Sequence, residues 1–390
     1  MIRRDFLAVS GLGIPGLALA GDRGTRRVQN RVPGSAAINF AYDGYMYTPE
    51  EYIGVLVHIS DQMEIEADWH AVGGVVEQVE ERMKEWTGME DAIFMPSGTM
   101  ANNLSIRVIS QDRHIIFVPE RSHILNSEGD SAQVLHQKMM VPIAPGEAYF
   151  SLDQLVSTID QHKARSSYGY NIGAISMEIA GRLVNQRTQD FEAMEAISSY
   201  ARANEIPIHL DGARVHSATA YTGVSVKQYC ELFDTVYMDL YKYFRATSGA
   251  VLCGPTSVIA QMKRFIKMCG GSLLFNWPNA AVAHYYMQGF EERFQQAKAH
   301  GERIIQGINE LGEVRVTSFD DGTNVFLLNF GETNPQTFAQ YLEEDHNIML
   351  RIGSYDSDSN TIPFKVNETQ LQDSAENIIA AFEAAVQRSI

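Results

Sequence analysis

The chain has 390 residues, more than a single hydrophobic core normally serves, so its length predicts one large domain with a smaller one. A composition of 45% hydrophobic and 20% charged residues is that of an ordinary globular protein, and it excludes a disordered or membrane-spanning chain. The net charge of -17 at pH 7 argues against nucleic acid or an anionic membrane as partner, because both require a basic surface. Cys230, Cys253 and Cys269 contain no CxxC spacing, so we expect neither a disulfide framework nor a zinc site, and no other metal.

The first twenty residues have the pattern of an export signal. Arg3 and Arg4 precede an apolar run from Phe6 to Ala20 that ends in small residues suited to cleavage. The arginine pair resembles a bacterial twin-arginine signal, although Ile2 stands where Ser or Thr is usual. The run is shorter than the roughly 20 residues that span a bilayer. We therefore predict a twin-arginine-type signal peptide over 1–20 and a periplasmic or exported protein. An uncleaved anchor, or a cytoplasmic protein with a frayed N-terminus, remains the alternative.

The rest of the chain reads as a linker followed by two folded parts. Residues 21–37 are polar and contain glycine, which predicts a linker. Beyond residue 74, helical periodicity alternates with short apolar runs that predict strands at 92–95, 114–118, 173–177, 206–210, 235–240 and 250–253. This alternation predicts an α/β fold with a mainly parallel sheet, in a large domain over 38–278. A long helical stretch, a strand and a final helix predict a smaller C-terminal α+β domain over 279–390.

The first candidate site follows the predicted strand at 92–95. Ser97, Gly98 and Thr99 form a small-residue turn that leads into a predicted helix. Backbone N–H groups at a helix N-terminus have no partner inside the helix, so they are suited to binding a phosphate. Taken alone, the turn is better explained by an N-capping Ser or Thr.

Two further candidates follow later strands. Asp211 ends an apolar strand, and an aspartate there can keep a pyridinium nitrogen protonated, although Asp-Gly after a strand is also a common turn. Lys242 comes 31 residues (242−211) later, just after the next strand and among aromatic residues. A partly desolvated lysine amine is suited to forming a Schiff base, while the ordinary alternative is a surface lysine. In this order, the three elements supply what pyridoxal 5'-phosphate (PLP) needs, namely phosphate anchorage, ring-nitrogen protonation and a covalent tether.

With these residues in place, the chain resembles the threonine aldolase and β-eliminating lyase family of fold-type-I PLP enzymes. The resemblance covers about residues 38–385 and is strongest in the segments at 96–102, 122–124, 209–214 and 267–271. It implies a PLP-dependent transferase-like fold, similar to aspartate aminotransferase, for the large domain. It also implies a homodimer or homotetramer with sites near the subunit interfaces.

The resemblance also implies roles for individual residues around the cofactor. Gly98 and Thr99 would hold the phosphate, with Ser97 of the same loop also counted as cofactor-binding. His123 would stack on the ring, although a buried, hydrogen-bonded histidine is the simpler explanation for that residue without the family.

On the other side of the ring, the family implies three further roles. Asp211 would bind the pyridine nitrogen and Lys242 would form the Schiff base. Arg214 would reach the ring hydroxyl or the substrate carboxylate. The catalytic residues are then Lys242, His123 and Asp211.

The chain departs from the family pattern where the substrate would bind. Two glycines expected after the lysine are Tyr243 and Arg245, so we expect that turn to be rebuilt. After Glu178, a candidate substrate-binding residue, the usual Thr-His is replaced by Ile-Ala. The C-terminal arginine expected to bind the substrate carboxylate aligns with Lys365, with Arg351 as an alternative.

The predicted function is a PLP-dependent lyase that cleaves the Cα–Cβ bond of a β-hydroxy-α-amino acid to glycine and an aldehyde. The candidate base is His123 or a water held by Glu178. Tyr243, Phe275 and Trp277 favour a bulkier, aryl substrate, unless they are core or interface residues. The alternatives are β-elimination, racemisation or transamination of an amino acid, or a non-catalytic binding protein on the same scaffold.

Overall fold

The computed structural model describes residues 37–165 and 171–390. The predicted signal peptide over 1–20, and all of the predicted linker except residue 37, lie outside these residues. Both assignments stay predictions. Within the described part of the chain, no helix has the length and apolar character needed to cross a membrane.

The described strands are short and most of them are buried. They are β1 (Ile38–Asn39), β2 (Asp91–Met95), β3 (Ile115–Pro119), β4 (Met139–Ile143), β5 (Ile172–Glu178), β6 (Ile208–Asp211), β7 (Thr235–Asp239), β8 (Ala250–Gly254), β9 (Arg315–Thr317), β10 (Val325–Asn329), β11 (Ile348–Met349) and β12 (Thr361–Lys365). The six strands predicted for the large domain are present, each shifted by no more than two residues.

The described helices surround these strands. They are α1 (Pro49–Gln62), α2 (Gly74–Thr87), α3 (Gly98–Ser110), α4 (His123–Asn126), α5 (Ser131–His136), α6 (Leu152–Arg165), α7 (Phe191–Ala203), α8 (Val215–Thr222), α9 (Val226–Cys230), α10 (Thr256–Met268), α11 (Trp277–Met287), α12 (Phe290–Leu311), α13 (Pro335–His346) and α14 (Ala375–Ser389). Short 3-10 helices span Arg182–Val184, Ile352–Ser354 and Glu368–Gln372.

The main sheet has seven strands in the order β2-β8-β7-β6-β5-β3-β4. The pairs from β7 to β4 are parallel, and only β8 runs antiparallel to its two neighbours. The central strands β3 and β7 are buried along their whole length because helices cover both faces of a parallel sheet. The predicted α/β fold with a mainly parallel sheet is therefore confirmed.

Strand β4 and helix α1 are among the elements of this part that were not predicted, for different reasons. Strand β4 lies at the edge of the sheet, is half exposed and contains Pro142, which an edge strand tolerates. Helix α1 carried a signal that was overlooked, since Thr48 and Glu51 form a capping box before an apolar stretch.

The C-terminal part has its own antiparallel sheet, β12-β10-β9, packed against α12, α13 and α14. Its hydrophobic core also includes Ile38 and Phe40, and the Phe40 ring stacks on Phe364 at 4.3 Å. Strand β1 pairs with β11, so the start of the described chain packs with the C-terminal part. The exact domain boundary at 278 and 279 stays a prediction.

The topology places three acidic residues side by side at one edge of the main sheet. Glu178 ends β5 and pairs in register with Asp211, which ends β6. Asp239 ends the next strand, β7, and Lys242 follows three residues later. The carboxyl ends of parallel strands are where ligands bind in such sheets.

Candidate active site

A cavity of about 580 Å³ lies at this edge of the sheet. Its lining includes eight of the nine residues predicted to form the site, namely Gly98, Thr99, His123, Glu178, Asp211, Arg214, Lys242 and Lys365. The ninth, Ser97, caps helix α3, where its hydroxyl accepts a hydrogen bond from the backbone N–H of Met100 at 3.3 Å. The volume is in the range that small-molecule sites usually have.

The start of helix α3 forms one end of the cavity. Gly98 and Thr99 lie in its first turn, where backbone N–H groups have no partner within the helix. A Cβ atom on Gly98 would lie 2.0 Å from the hydroxyl oxygen of Tyr237, so only glycine allows this close approach. The arrangement suits an anion such as a phosphate.

A buried hydrogen-bond network connects Asp211 with His123. The side-chain amide of Asn102 donates to Asp211 at 2.8 Å and to Glu128 at 2.7 Å. The Nδ1 atom of His123 lies 3.0 Å from the same oxygen of Glu128. Burial acts to lower the pKa of His123, but the hydrogen bond to Glu128 and the charge of Asp211 raise it overall.

Asn102 and Glu128 were missed in the sequence. Asn102 lies four residues into α3, where its spacing from Gly98 could have indicated that it faces the same end of the sheet. Glu128 follows the short helix α4 and carries no such signal.

Glu178 holds the backbone on two sides of the cavity. Its two carboxylate oxygens accept hydrogen bonds from the backbone N–H groups of His123 at 2.7 Å and Arg182 at 3.0 Å. Burial, followed by the neighbouring charge of Asp211, raises the pKa of Glu178. The geometry thus gives this residue a role in positioning His123.

Lys242 lies inside the cavity, with 14% of its side chain exposed. Burial lowers the pKa of its amine, and the charge of Arg214 adds to that effect, while Asp239 opposes it. A lowered pKa favours the neutral amine that Schiff-base formation requires.

Asp43 is the most important residue that the sequence analysis missed. It lies in the segment between β1 and α1, and its carboxylate contacts Arg214 at 2.8 Å and Lys365 at 2.7 Å. Burial alone would raise the pKa of Asp43, but these two cations hold it well below its usual value. The Nε atom of Arg214 is buried and has no hydrogen-bond partner among the described residues.

Two further arginines line the cavity. Arg351 lies over the ring of Tyr42 at 5.6 Å, and Arg182 follows Glu178 on the neighbouring loop. Neither forms an ion pair with a described carboxylate. Arg351 is thus a cavity-lining cation without an ion-pair partner among the described residues.

The three aromatic residues on which a bulky substrate was predicted do not line the cavity among the described residues. Tyr243 is buried and accepts a hydrogen bond from Asn324 at 2.8 Å, while Trp277 packs against the core. Phe275 lies at the surface against Trp69, with ring centroids 5.6 Å apart. The reason given for a bulky substrate was therefore wrong. Other aromatic rings, those of Tyr42, Tyr45, Tyr237 and Tyr241, line the cavity instead.

The turn after Lys242 shows how the chain replaces a family glycine. Arg245 has φ of 63°, in the left-handed region that glycine adopts readily and arginine disfavours. Its guanidinium forms an ion pair with Glu368 and lies between the rings of Tyr45 and Tyr286, at 3.7 and 4.0 Å. These contacts offset the backbone strain and fix the turn that carries Lys242.

These residues fit PLP. The start of α3 can hold its phosphate, the carboxylate of Asp211 can hold its ring nitrogen, and Lys242 can form the covalent link. Arg214 also lines the cavity and supplies a positive charge there.

One group of side chains in the cavity has the composition of a metal site. His123, Glu128 and Asp211 each place a ligand atom within 4.8 Å of the others. Asn102 donates to both carboxylates, so hydrogen bonds already account for their proximity. The expectation of no metal stays a prediction.

Comparison with known proteins gives consistent results. The family described as Beta-eliminating lyase matches residues 58–329. The chain is 27% identical to a low-specificity L-threonine aldolase of Candida albicans over 278 residues, which are 70% of this chain and 73% of the relative. It is 32% identical to a Schizosaccharomyces pombe protein named a probable low-specificity L-threonine aldolase, over 58% of this chain and 59% of the relative.

A crystal structure from Exiguobacterium has a similar fold. That protein carries the provisional name aromatic amino acid beta-eliminating lyase/threonine aldolase, and it matches with a TM-score of 0.76 and 22% identity. The match covers 90% of this chain and 98% of the other. At this identity the similarity shows the fold alone.

Proposed function

The chain belongs to the beta-eliminating lyase family, and from that premise we propose that it is a PLP-dependent lyase of the threonine aldolase type. It would cleave the Cα–Cβ bond of a β-hydroxy-α-amino acid to glycine and an aldehyde. The observation that carries the proposal is the single cavity that contains Lys242, Asp211 and the start of α3. The names of the curated relatives support this reaction over others of the family.

Each residue of the cofactor group has a distinct task. When bound, PLP supplies an electron sink for the pair of electrons left by the broken bond. Gly98 and Thr99 would bind its phosphate through backbone N–H groups, and Asp211 would keep its ring nitrogen protonated. Lys242 would provide the amine that anchors it.

His123 is the proposed base for the substrate hydroxyl. Its Nδ1 atom is engaged by Glu128, and its Nε2 atom has no hydrogen-bond partner among the described residues. Glu178 holds the backbone of His123 in place, which fixes where this nitrogen lies. A water held by Glu178 is the less supported choice, because both oxygens of that carboxylate already accept backbone hydrogen bonds.

The substrate carboxylate requires a cation at the other side of the cavity. Lys365 was predicted for this task, but its charge is shared with Asp43 at 2.7 Å. Arg351 has no carboxylate partner among the described residues and offers a planar, two-donor group. We therefore assign the main contact to Arg351, with Arg214 and Lys365 as the neighbouring positive charges.

The test measures the absorption spectrum and the products of purified protein with PLP, before and after addition of β-hydroxy-α-amino acids of increasing side-chain size. We expect the visible absorption band of lysine-bound PLP, loss of that band in Lys242→Ala, and formation of glycine and aldehyde. Lys263→Ala, a substitution of an exposed lysine on α10, is the matched control. It should keep the absorption band and the formation of glycine and aldehyde. A Lys242→Ala protein that retains the band would overturn the proposal.

The same assay separates the second candidate function. The family name itself favours β-elimination, which releases pyruvate and ammonia from an amino acid with a leaving group at Cβ. Pyruvate and ammonia without glycine or aldehyde would favour this reaction. A change in amino-acid handedness, or an amino group transferred to a keto acid, would identify racemisation or transamination. A PLP band without turnover of any amino acid would indicate a binding protein.

We also propose a homo-oligomer. The support for it is a cluster of exposed apolar side chains. Trp69, Leu273, Leu274 and Phe275 are 61, 45, 47 and 47% exposed, and the N–H of His70 donates to the carbonyl of Leu274 within the same surface. Burial of such a cluster favours association. Light scattering after gel filtration measures the mass, and a monomer at micromolar concentration would contradict the proposal.

Export through the twin-arginine route is the proposed localisation. It rests on Arg3, Arg4 and the apolar run that follows them. Fractionation of cells that express the full chain, with Arg3→Lys/Arg4→Lys as comparison, tests it. Mature protein in the periplasm that begins near Gly21 would support the proposal, while intact protein in the cytoplasm would contradict it.

A further inference from the structure

Asp239 is a buried carboxylate that contacts both the backbone and the amine of Lys242. It ends strand β7 and is completely buried. One oxygen, Oδ2, accepts a hydrogen bond from the backbone N–H of Lys242 at 2.9 Å. The same oxygen lies 3.7 Å from the Nζ atom of Lys242.

The other oxygen of Asp239 is also informative. Oδ1 is buried and has no hydrogen-bond partner among the described residues. A buried carboxylate costs free energy unless its charge is compensated, and Lys242 is its partner within ion-pair distance among the described residues. A neutral side chain could also accept the hydrogen bond from the backbone of Lys242. The charge of the acid therefore calls for a further explanation.

The electrostatic surroundings show what the acid does to the lysine. Burial raises the pKa of Asp239 to about 6, and the charges of Lys242 and Arg214 oppose that rise. At neutral pH the acid is thus largely ionised and opposes the loss of a proton by the amine. The other titratable groups that face this pair are Asp43, Asp211, Arg214, His216, Tyr237 and Tyr241.

We propose that Asp239 is a positioning residue for Lys242, which fixes its turn through one oxygen and holds the proton on its nitrogen by its charge. The inference deepens the proposed function, since it rests on Lys242 as the cofactor-binding lysine. Arg214 pulls the amine toward the neutral form, and Asp239 pulls it toward the charged form. Burial is the largest influence and also favours the neutral form, so the charge of Asp239 raises the pH at which Lys242 becomes a nucleophile.

The experiment measures Lys242 in the protein without PLP. Competitive labelling with acetic anhydride, read by mass spectrometry across a pH series, gives the midpoint at which the amine becomes reactive. Asp239→Asn keeps an oxygen that accepts the backbone hydrogen bond but removes the charge. We expect its midpoint to move to lower pH, with about tenfold or more extra labelling on the acid side of the wild-type midpoint.

Asp234→Asn is the matched control. Asp234 precedes the same strand and also accepts a backbone hydrogen bond, from Ile208 at 2.8 Å, but it does not act on Lys242. The pH midpoint of Lys242 labelling in Asp234→Asn should equal that of wild type. A purely structural Asp239 would leave the Asp239→Asn midpoint unshifted as well, and that result would overturn the inference.

Two further measurements keep the test decisive. Asp239→Ser supplies a smaller uncharged acceptor, so it gives the same comparison if the Asn variant does not fold by circular dichroism. Protection of Lys242 from labelling by added PLP tests the proposed function separately. Absence of protection in wild type would count against the proposed function, whereas an unshifted midpoint counts against Asp239 alone.

Discussion

The Oδ1 atom of Asp43 lies 2.7 Å from the Nζ atom of Lys365, although the two residues are 322 positions apart in the chain. The contact joins the first described loop to the last strand of the C-terminal sheet. It also compensates the charge of the lysine that the sequence analysis assigned to the substrate carboxylate. Because Asp43 already pairs with Lys365, we assign the main contact with the substrate carboxylate to Arg351.

Replacing Arg351 by alanine should therefore weaken substrate binding more than replacing Lys365. We expect KM for the amino acid to rise about 10- to 100-fold in Arg351→Ala, because a charged hydrogen bond contributes roughly 1.5–3 kcal/mol. Steady-state kinetics with the best substrate of the panel measures it. Arg315→Ala, on an exposed position of β9, is the control and should leave KM unchanged. A larger effect of Lys365→Ala would return the main contact to the lysine.

Loss of Asp43 should destabilise the protein, because it leaves Arg214 and Lys365 as buried like charges. We expect Asp43→Asn to lower the free energy of unfolding in urea by about 3–5 kcal/mol. The folded-state pKa of Asp43 is depressed, so its contribution is present above the ordinary carboxyl pKa and is lost as the pH falls through the folded value. The difference in the free energy of unfolding between Asp43→Asn and wild type should thus become smaller at acidic pH.

The surface pair of Arg187 and Asp321 provides the comparison for that result. It has good geometry at 2.6 Å but both side chains are more than a third exposed. Asp321→Asn should change the free energy of unfolding by no more than about 1 kcal/mol. An equal effect of the two substitutions would mean that burial of the Asp43 cluster is less complete than the structure shows.

Gly98→Ala should weaken PLP binding. The new methyl group would meet the Tyr237 hydroxyl at 2.0 Å, so the first turn of α3 must move away from its phosphate-binding position. We expect the dissociation constant for PLP to rise at least about tenfold, measured by absorbance titration of protein freed of cofactor. Gly54→Ala in α1 meets no atom within 4 Å and should leave PLP affinity unchanged. Unaltered affinity in Gly98→Ala would remove this turn from the phosphate site.

The cofactor half of the site could be predicted from the sequence because each of its residues lies at the end of a strand or within a few residues after it. Asp211 and Lys242 are placed by strands β6 and β7, and strand order alone brings them to one edge of the sheet. Asp43 could not be predicted in this way, because no strand or motif places its loop and its partners are far away in the chain. Its contacts depend on how the C-terminal sheet packs.

The aromatic residues illustrate the same limit. Tyr243 follows Lys242 by one position, and the sequence could not show that its ring turns away from the cavity toward Asn324. Adjacent residues of a turn point in different directions, so proximity in sequence does not give a side chain's direction. Tyr45 lines the cavity from a segment with no recognised pattern.

Glu128→Gln tests whether His123 is the base. The hydrogen bond and charge of Glu128 raise the pKa of His123, so a neutral amide in its place should lower it. A base acts in its unprotonated form, and the acid limb of the profile of kcat/KM against pH should therefore move to lower pH. The amide oxygen can still accept from His123 and Asn102, so the network keeps its geometry. Glu77→Gln, on the exposed face of α2, carries the same change of charge away from the cavity and should leave the profile in place. An acid limb that does not move in Glu128→Gln, with activity retained, would show that another group takes the hydroxyl proton.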